Sequence, residues 1–176
     1  RQFLDIAISG KEPLYLATLQ RYAHILKQRN ALLKSARQSP EQFEATVEIW
    51  SRQLAHEGAY LARSRKRYIE KAEGYLKHCF AEMMGERELP TLCYQGPCKG
   101  EDTDYEDLPK TEQYLFGRLC SNLEREIAAG ATLYGPHKDD IEILLNGRPA
   151  RLFGSQGQQR SLSLALKIAE GEICRE

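Results

Sequence analysis

The sequence predicts a mainly helical α+β fold: a long antiparallel helical arm, then a β-hairpin, then a final helix. Three observations predict it. Apolar residues recur at near-heptad spacing from Phe43 to Met83. Asn146-Gly147 stands between two short apolar runs and supplies the two φ > 0 residues of a type I′ turn. Gly154-Ser155 then opens a segment in which Leu162, Ala165, Leu166 and Ala169 return to helical spacing, with Ile168 beside them.

Composition narrows the class. The 176 residues are 41% hydrophobic and 28% charged, which suits a folded domain rather than a disordered chain. No run of 18 apolar residues is present, so no helical membrane span is expected. Net charge is zero and decides nothing about nucleic acid, but its distribution is uneven. Residues 1–84 carry +5, residues 85–130 carry −5 and the remainder is neutral. Five cysteines without a framework spacing fit a reduced, cytoplasmic protein. The chain opens on Arg1 rather than Met, and its last helix reaches Glu176 without a stop signal; both are read as signs of truncation.

Each element has its own signal. Pro13 suits the first position of a helix over 13–36, with Leu19, Tyr22, Leu26 and Leu33 as its apolar face. Ser39-Pro40-Glu41-Gln42 is a restart, with Ser39 as cap and Pro40 at the first helical position. From Pro40 to Met84 the apolar face is Phe43, Val47, Trp50, Leu54, Leu61, Tyr68, Ala72, Tyr75, Cys79 and Met83, and Gly85 stops it. Such a helix runs about 65 Å at 1.5 Å per residue. Thr91 to Gln95 reads as a short edge strand, and the acidic run from Glu101 to Asp107 as a solvated loop. Leu115, Leu119, Leu123 and Ile127 predict one helix over 110–129, ended by Gly130. Ala131 to Tyr134 reads as a strand, and Ile141–Leu145 with Pro149–Phe153 as the arms of the hairpin.

The chemistry concentrates in Gly154-Ser155-Gln156-Gly157-Gln158-Gln159-Arg160. A glycine-flanked polar turn that feeds a helix N-terminus exposes free N–H groups to an anion. The plainer alternative is a capping box, since Ser155 and Gln158 stand at Ncap and N3. The two roles are compatible.

These residues also carry a resemblance. Ser-Gln-Gly-Gln-Gln-Arg (155–160), after Gly-Pro-His-Lys-Asp-Asp (135–140), resembles the signature region of the RecF family of ABC/SMC-type P-loop ATPases. Arg1-Gln2-Phe3-Leu4-Asp5, Tyr22 with Leu26 to Lys34, and Trp50 with Leu54 to Ala59 resemble further blocks of that family, in order. The resemblance covers essentially the whole chain. It implies a helical lever arm over 1–130 and a partial ATPase head with its signature over 131–176. The Walker A motif G-x-x-x-x-G-K-[ST] and an apolar strand ending in Walker B acids are absent, so the chain is not expected to hydrolyse ATP alone.

The resemblance further implies a recombination mediator in DNA replication and repair. Its expected properties are ATP with Mg2+ as cofactor, an ATP-dependent homodimer, binding to gapped or junction DNA, RecR and RecO-like partners, a role in the SOS response and a nucleoid-associated cytoplasmic location. The expected ATP contacts, made in trans, are Ser155, Gln156, Gly157 and Gln158, with Arg160 pairing to an acid. Candidate DNA contacts are Arg63, Arg65, Lys66, Arg67 and Lys71. The alternatives are a non-catalytic helical interaction arm and another SMC-like ATPase head. No metal site is expected: His137, Asp139 and Asp140 read as a structural turn, and Cys93 and Cys98 lack a second ligand pair.

Overall fold

The computed structural model describes residues 2–38, 40–85, 87–98 and 104–175. Seven helices and three short strands occur among them, in the order α1 (Gln2–Ser9), α2 (Pro13–Ser35), α3 (Pro40–Met84), β1 (Pro90–Gln95), α4 (Leu108–Ser121), α5 (Leu123–Ala129), β2 (Asp140–Leu145), β3 (Arg148–Pro149), α6 (Ala150–Phe153) and α7 (Gln156–Arg175). The expected cap at Ser39 and the first three residues of the acidic run lie outside the described residues.

The chain forms two compact units. One comprises Arg1–Lys11, Arg65–Gln95 and Asp140–Glu176; the other comprises Glu12–Ser64 and Gly96–Asp139. α3 supplies residues to both, and β1 pairs with β2 within the first.

The unit containing α2 is an antiparallel helical hairpin backed by α4 and α5. Leu33 and Ala36 cluster with Phe43 and Val47, Arg29 reaches Ser51, and Arg21 reaches Glu57, so partners step in opposite directions along α2 and α3. Leu123 and Ile127 of α5 cover the first cluster, and Leu115 of α4 packs with Ala55 and Ala59. Each fully buried Leu or Phe contributes about 1.5–3 kcal/mol relative to exposure. The buried stripe of α2 is Tyr15, Thr18, Tyr22, Ile25, Arg29 and Leu33. It is thus rotated from the expected one: Leu19 and Leu26 are only half-buried. Two polar residues, Thr18 and Arg29, hold positions that an apolar count cannot find.

The expected helix over 110–129 is two helices. Asn122, at φ −113° and ψ 13°, ends α4, and its side-chain amide donates to the carbonyl of Arg118 at 2.8 Å. The expected strand at Ala131–Tyr134 is absent. Its backbone groups are taken by side chains instead of a ladder: Thr132 N–H donates to Asn30 and Leu133 N–H to Glu126. A single 3₁₀ turn, Pro136–Lys138, follows.

The other unit holds the sheet, in the order β1-β2-β3, with β1 at an edge as expected. β1 runs antiparallel to β2 from Pro90↔Leu145 to Gln95↔Asp140. The turn is Asn146-Gly147, at φ 51° and 76°, as the type I′ reading requires. Its second arm is shorter than expected. β3 pairs over only two residues, because Ala150–Phe153 turns into helix α6. α7 runs antiparallel to the C-terminal part of α3: Ser161 reaches Met84 near one end, and near the other the Glu170 carboxylate adds to burial in pushing the Tyr68 hydroxyl up. Phe3 of α1 meets Tyr68 edge-on at 6.4 Å and lies under Lys167 of α7 at 5.2 Å.

Candidate functional site

The signature residues stand at the start of α7, where the sequence placed a helix entry. Ser155 Oγ accepts from the Gln158 backbone N–H at 3.2 Å, and Gln158 Oε1 accepts from the Ser155 N–H at 2.7 Å. The capping box is therefore formed. It orders the loop without consuming it. Ser155 Oγ acts as acceptor, so its own hydrogen remains a donor. The backbone N–H groups of Gln156 and Gly157 are first-turn donors with no intrahelical acceptor. A Cβ on Gly157 would meet only Ser155 Oγ, at 3.9 Å, so the backbone is open to a ligand there. Ser155, Gln156 and Gly157 are exposed and Gln158 is half-buried.

Two expectations at this loop change. The backbone N–H of Gln158 is already satisfied by Ser155, so it is not a spare phosphate donor. Its side chain also reaches Glu88, with Nε2 donating to Oε1 at 2.5 Å. Glu88 had no sequence signal of its own; only its position just before β1 hints at a fixed geometry. Arg160 is exposed and makes no ion pair among the described residues.

The basic residues of α3 do not form one surface. Arg65 is 1% exposed, and its Nη2 pairs with Asp5 Oδ1 at 2.8 Å, so this guanidinium serves the interior and leaves the set of DNA candidates. Arg63 belongs to the other unit, half-buried, with its guanidinium 5.3 Å from the Tyr60 ring. Lys66 pairs with Glu70 at 3.0 Å along the helix. Arg67 and Lys71, at i and i+4, are exposed.

The unit containing α2 has a polar centre. Arg29 Nη2 pairs with Glu126 Oε2 at 2.6 Å, both side chains being 0% exposed. Arg29 also donates to Ser51 at 3.0 Å and Thr132 at 2.8 Å, while Glu126 Oε1 accepts from the Leu133 N–H at 2.8 Å. Asn30 Oδ1 receives both the N–H and the hydroxyl of Thr132. His137 continues the network. Its Nε2 faces the Thr132 carbonyl at 3.0 Å, and a carbonyl only accepts, so Nε2 carries the hydrogen. In the neutral ring Nδ1 then accepts from the Tyr22 O–H at 2.7 Å. Both ring nitrogens are thus occupied. Among the described residues no group of three or more His, Cys, Asp or Glu is arranged to hold a metal ion.

Cys98 lies in the same unit and is buried. Burial pushes its thiol up to about 12, helped by the charge of Asp139 and opposed by a hydrogen bond from Tyr105. A raised acid favours the folded state only while it is protonated. Its contribution is complete below the ordinary thiol value of 9.0 and is lost as pH rises toward about 12. The urea midpoint is therefore expected to fall between about pH 9 and about pH 11, and Cys98→Ala to flatten that fall. Equal slopes in both proteins would show that Cys98 is not responsible.

No family model matches the chain. It is 35% identical over 176 residues to the DNA replication and repair protein RecF of Ruminiclostridium cellulolyticum, covering 100% of this chain and 46% of that protein. The RecF of Protochlamydia amoebophila is 38% identical, over 97% of this chain and 45% of its own length. A solved structure of the recombination mediator protein RecF-ATP in the RecFOR pathway matches 99% of this chain at a TM-score of 0.92 and 31% identity. The chain belongs to the RecF family. A second RecF structure, with ATPrS, matches 98% of this chain at a TM-score of 0.91 and 30% identity. The mainly helical fold with one small antiparallel sheet is thus the RecF fold of this region. The chain spans about half the length of the curated RecF relatives it matches, at 45% and 46%. No helix of the described residues is long and apolar enough to cross a membrane.

Proposed function

We propose that this chain supplies the lever arm and the nucleotide-contacting signature of a RecF-type ATPase in recombinational DNA repair. The observation that carries the proposal is the loop at the start of α7: Ser155 and Gly157 are exposed, ordered by a capping box, and retain unspent donors. In this reading the signature meets ATP bound by a second copy of the protein. ATP, with its Mg2+, supplies the γ-phosphate that the loop recognises. Ser155 donates its hydroxyl hydrogen, Gln156 and Gly157 direct their backbone N–H groups outward, and the N-terminal end of α7 adds a fixed positive potential. Gln158 acts behind them by closing the box. Binding energy available only in the dimer makes nucleotide favour assembly. DNA binding involves the exposed basic residues of α3, with Arg67 and Lys71 ahead of Lys66 and Arg63 as candidates, and the work at gapped DNA is shared with RecO and RecR. An SOS role and a cytoplasmic, nucleoid-associated location accompany this function.

The test is light scattering on a full-length RecF carrying this sequence, with and without ATP and magnesium. The expected result is an ATP-dependent doubling of mass. Ser155→Arg is expected to keep ATP binding by the monomer and to lose the doubling, because a bulky cation fills the phosphate slot. A mass unchanged by ATP would favour a non-catalytic interaction arm, with the loop merely a capped helix start.

A further inference from the structure

The side-chain amide of Gln158 makes two bonds that fix its orientation. Oε1 accepts from the Ser155 N–H at 2.7 Å, and Nε2 donates to Glu88 Oε1 at 2.5 Å. Rotating the amide by half a turn would set its carbonyl against the carboxylate and its NH₂ against an N–H donor, and both contacts would repel. A carboxylate accepts only, so Glu88 admits one of the two orientations, and that orientation closes the capping box. Glu88 is itself held in place. The next residue, Leu89, exchanges hydrogen bonds with Asn146 at the hairpin turn, its N–H donating at 2.8 Å and its carbonyl accepting at 2.9 Å. Just before it, the end of α3 is tied to α7 by Ser161 and Met84. Meanwhile Glu88 Oε2 is enclosed with no hydrogen-bond partner among the described residues. An enclosed carboxylate oxygen without a donor is costly, so stability alone does not explain this residue.

We propose that Glu88 is a positioning residue of the signature loop, selecting the orientation of the Gln158 amide that holds Ser155 ready for a phosphate. The last part of this statement rests on the functional reading given above; the orientation of the loop does not. Two measurements separate them. In the present chain, hydrogen exchange at the Ser155 backbone amide reads the box directly. Glu88→Ala is expected to raise that exchange about tenfold, the factor a charge-assisted hydrogen bond commands. Glu88→Gln keeps an acceptor but adds an NH₂ that admits the other orientation, so it is expected to restore protection only in part, and Ala165 within α7 is expected to stay unchanged in both. Unchanged exchange at Ser155 would overturn the proposal. So would an equal rise at Ala165, because Glu88 would then hold the fold rather than the loop.

In a full-length RecF carrying these residues, light scattering with ATP and magnesium supplies the functional reading. Glu88→Ala is expected to require about tenfold more protein for half-dimerisation, with partial recovery in Glu88→Gln. Added to Gln158→Ala, it is expected to change nothing further, since the amide it orients is gone. Additive losses would overturn the assigned route through Gln158. Failure of the unaltered protein to dimerise would overturn the functional reading alone, and the exchange data would still decide what Glu88 does to the loop.

Discussion

Arg29→Met is expected to lower the unfolding free energy by about 3–5 kcal/mol, because it strands a buried carboxylate. Glu126 is 0% exposed, and its Oε2 pairs with the Arg29 guanidinium at 2.6 Å. Water cannot replace that partner. Thr132 and Ser51 lose a charged donor at the same time. Against a typical total of about 5–15 kcal/mol, the loss is a large fraction of the stability of a domain. The double variant Arg29→Met/Glu126→Leu is expected to recover part of it, since replacing both charges by apolar groups is often near neutral. It will not recover all, because the Leu133 N–H loses its acceptor, at about 1–3 kcal/mol. Urea unfolding followed by tryptophan fluorescence is the measurement. Trp50 is the one tryptophan of the chain and lies in the same unit, so its signal reports that unit. A double variant as unstable as the sum of its single changes would show that the pair is not coupled.

The elements with strong local chemistry were legible in the sequence. Periodicity and the Gly85 stop gave α3 its bounds, Pro13 placed the start of α2, and Asn146-Gly147 located the hairpin turn. The capping box of Ser155 and Gln158 was legible for the same reason: both partners lie within one turn of helix. What was not legible depends on partners far apart in the chain. Nothing local to α2 names the partner of Arg29, because Glu126 arrives from α5, 97 positions on by the numbering. Arg65 reads as part of a basic patch until Asp5 claims it. Thr132 sits in a stretch of strand-forming residues, yet Asn30 binds its backbone and no ladder forms. Glu88 carries no pattern at all, since its role depends on a glutamine 70 positions away. In each case local propensity was overruled by a long-range polar contact, and polar contacts leave no periodic trace.

Gly135→Ala is expected to cost about 2–4 kcal/mol, and the cost has two separable sources. The first is conformational. Gly135 has φ 134° and ψ 176°, a region that essentially only glycine occupies. The second is spatial. An added Cβ would lie 2.5 Å from the Tyr22 hydroxyl and 3.2 Å from His137 Nδ1, in the midst of the hydrogen bond that joins them. The ring cannot simply withdraw, because its Nε2 is bound to the Thr132 carbonyl on the far side. Tyr22→Phe distinguishes the sources. Alone it should cost about 1–2 kcal/mol by leaving Nδ1 without its donor. Combined with Gly135→Ala it removes the atom that the new methyl group strikes, so the pair should be less destabilising than the sum of the two. The residue left over then measures the backbone strain by itself. Strict additivity in urea unfolding would mean that the hydroxyl already moves aside at no cost, and that the glycine is required for its backbone alone.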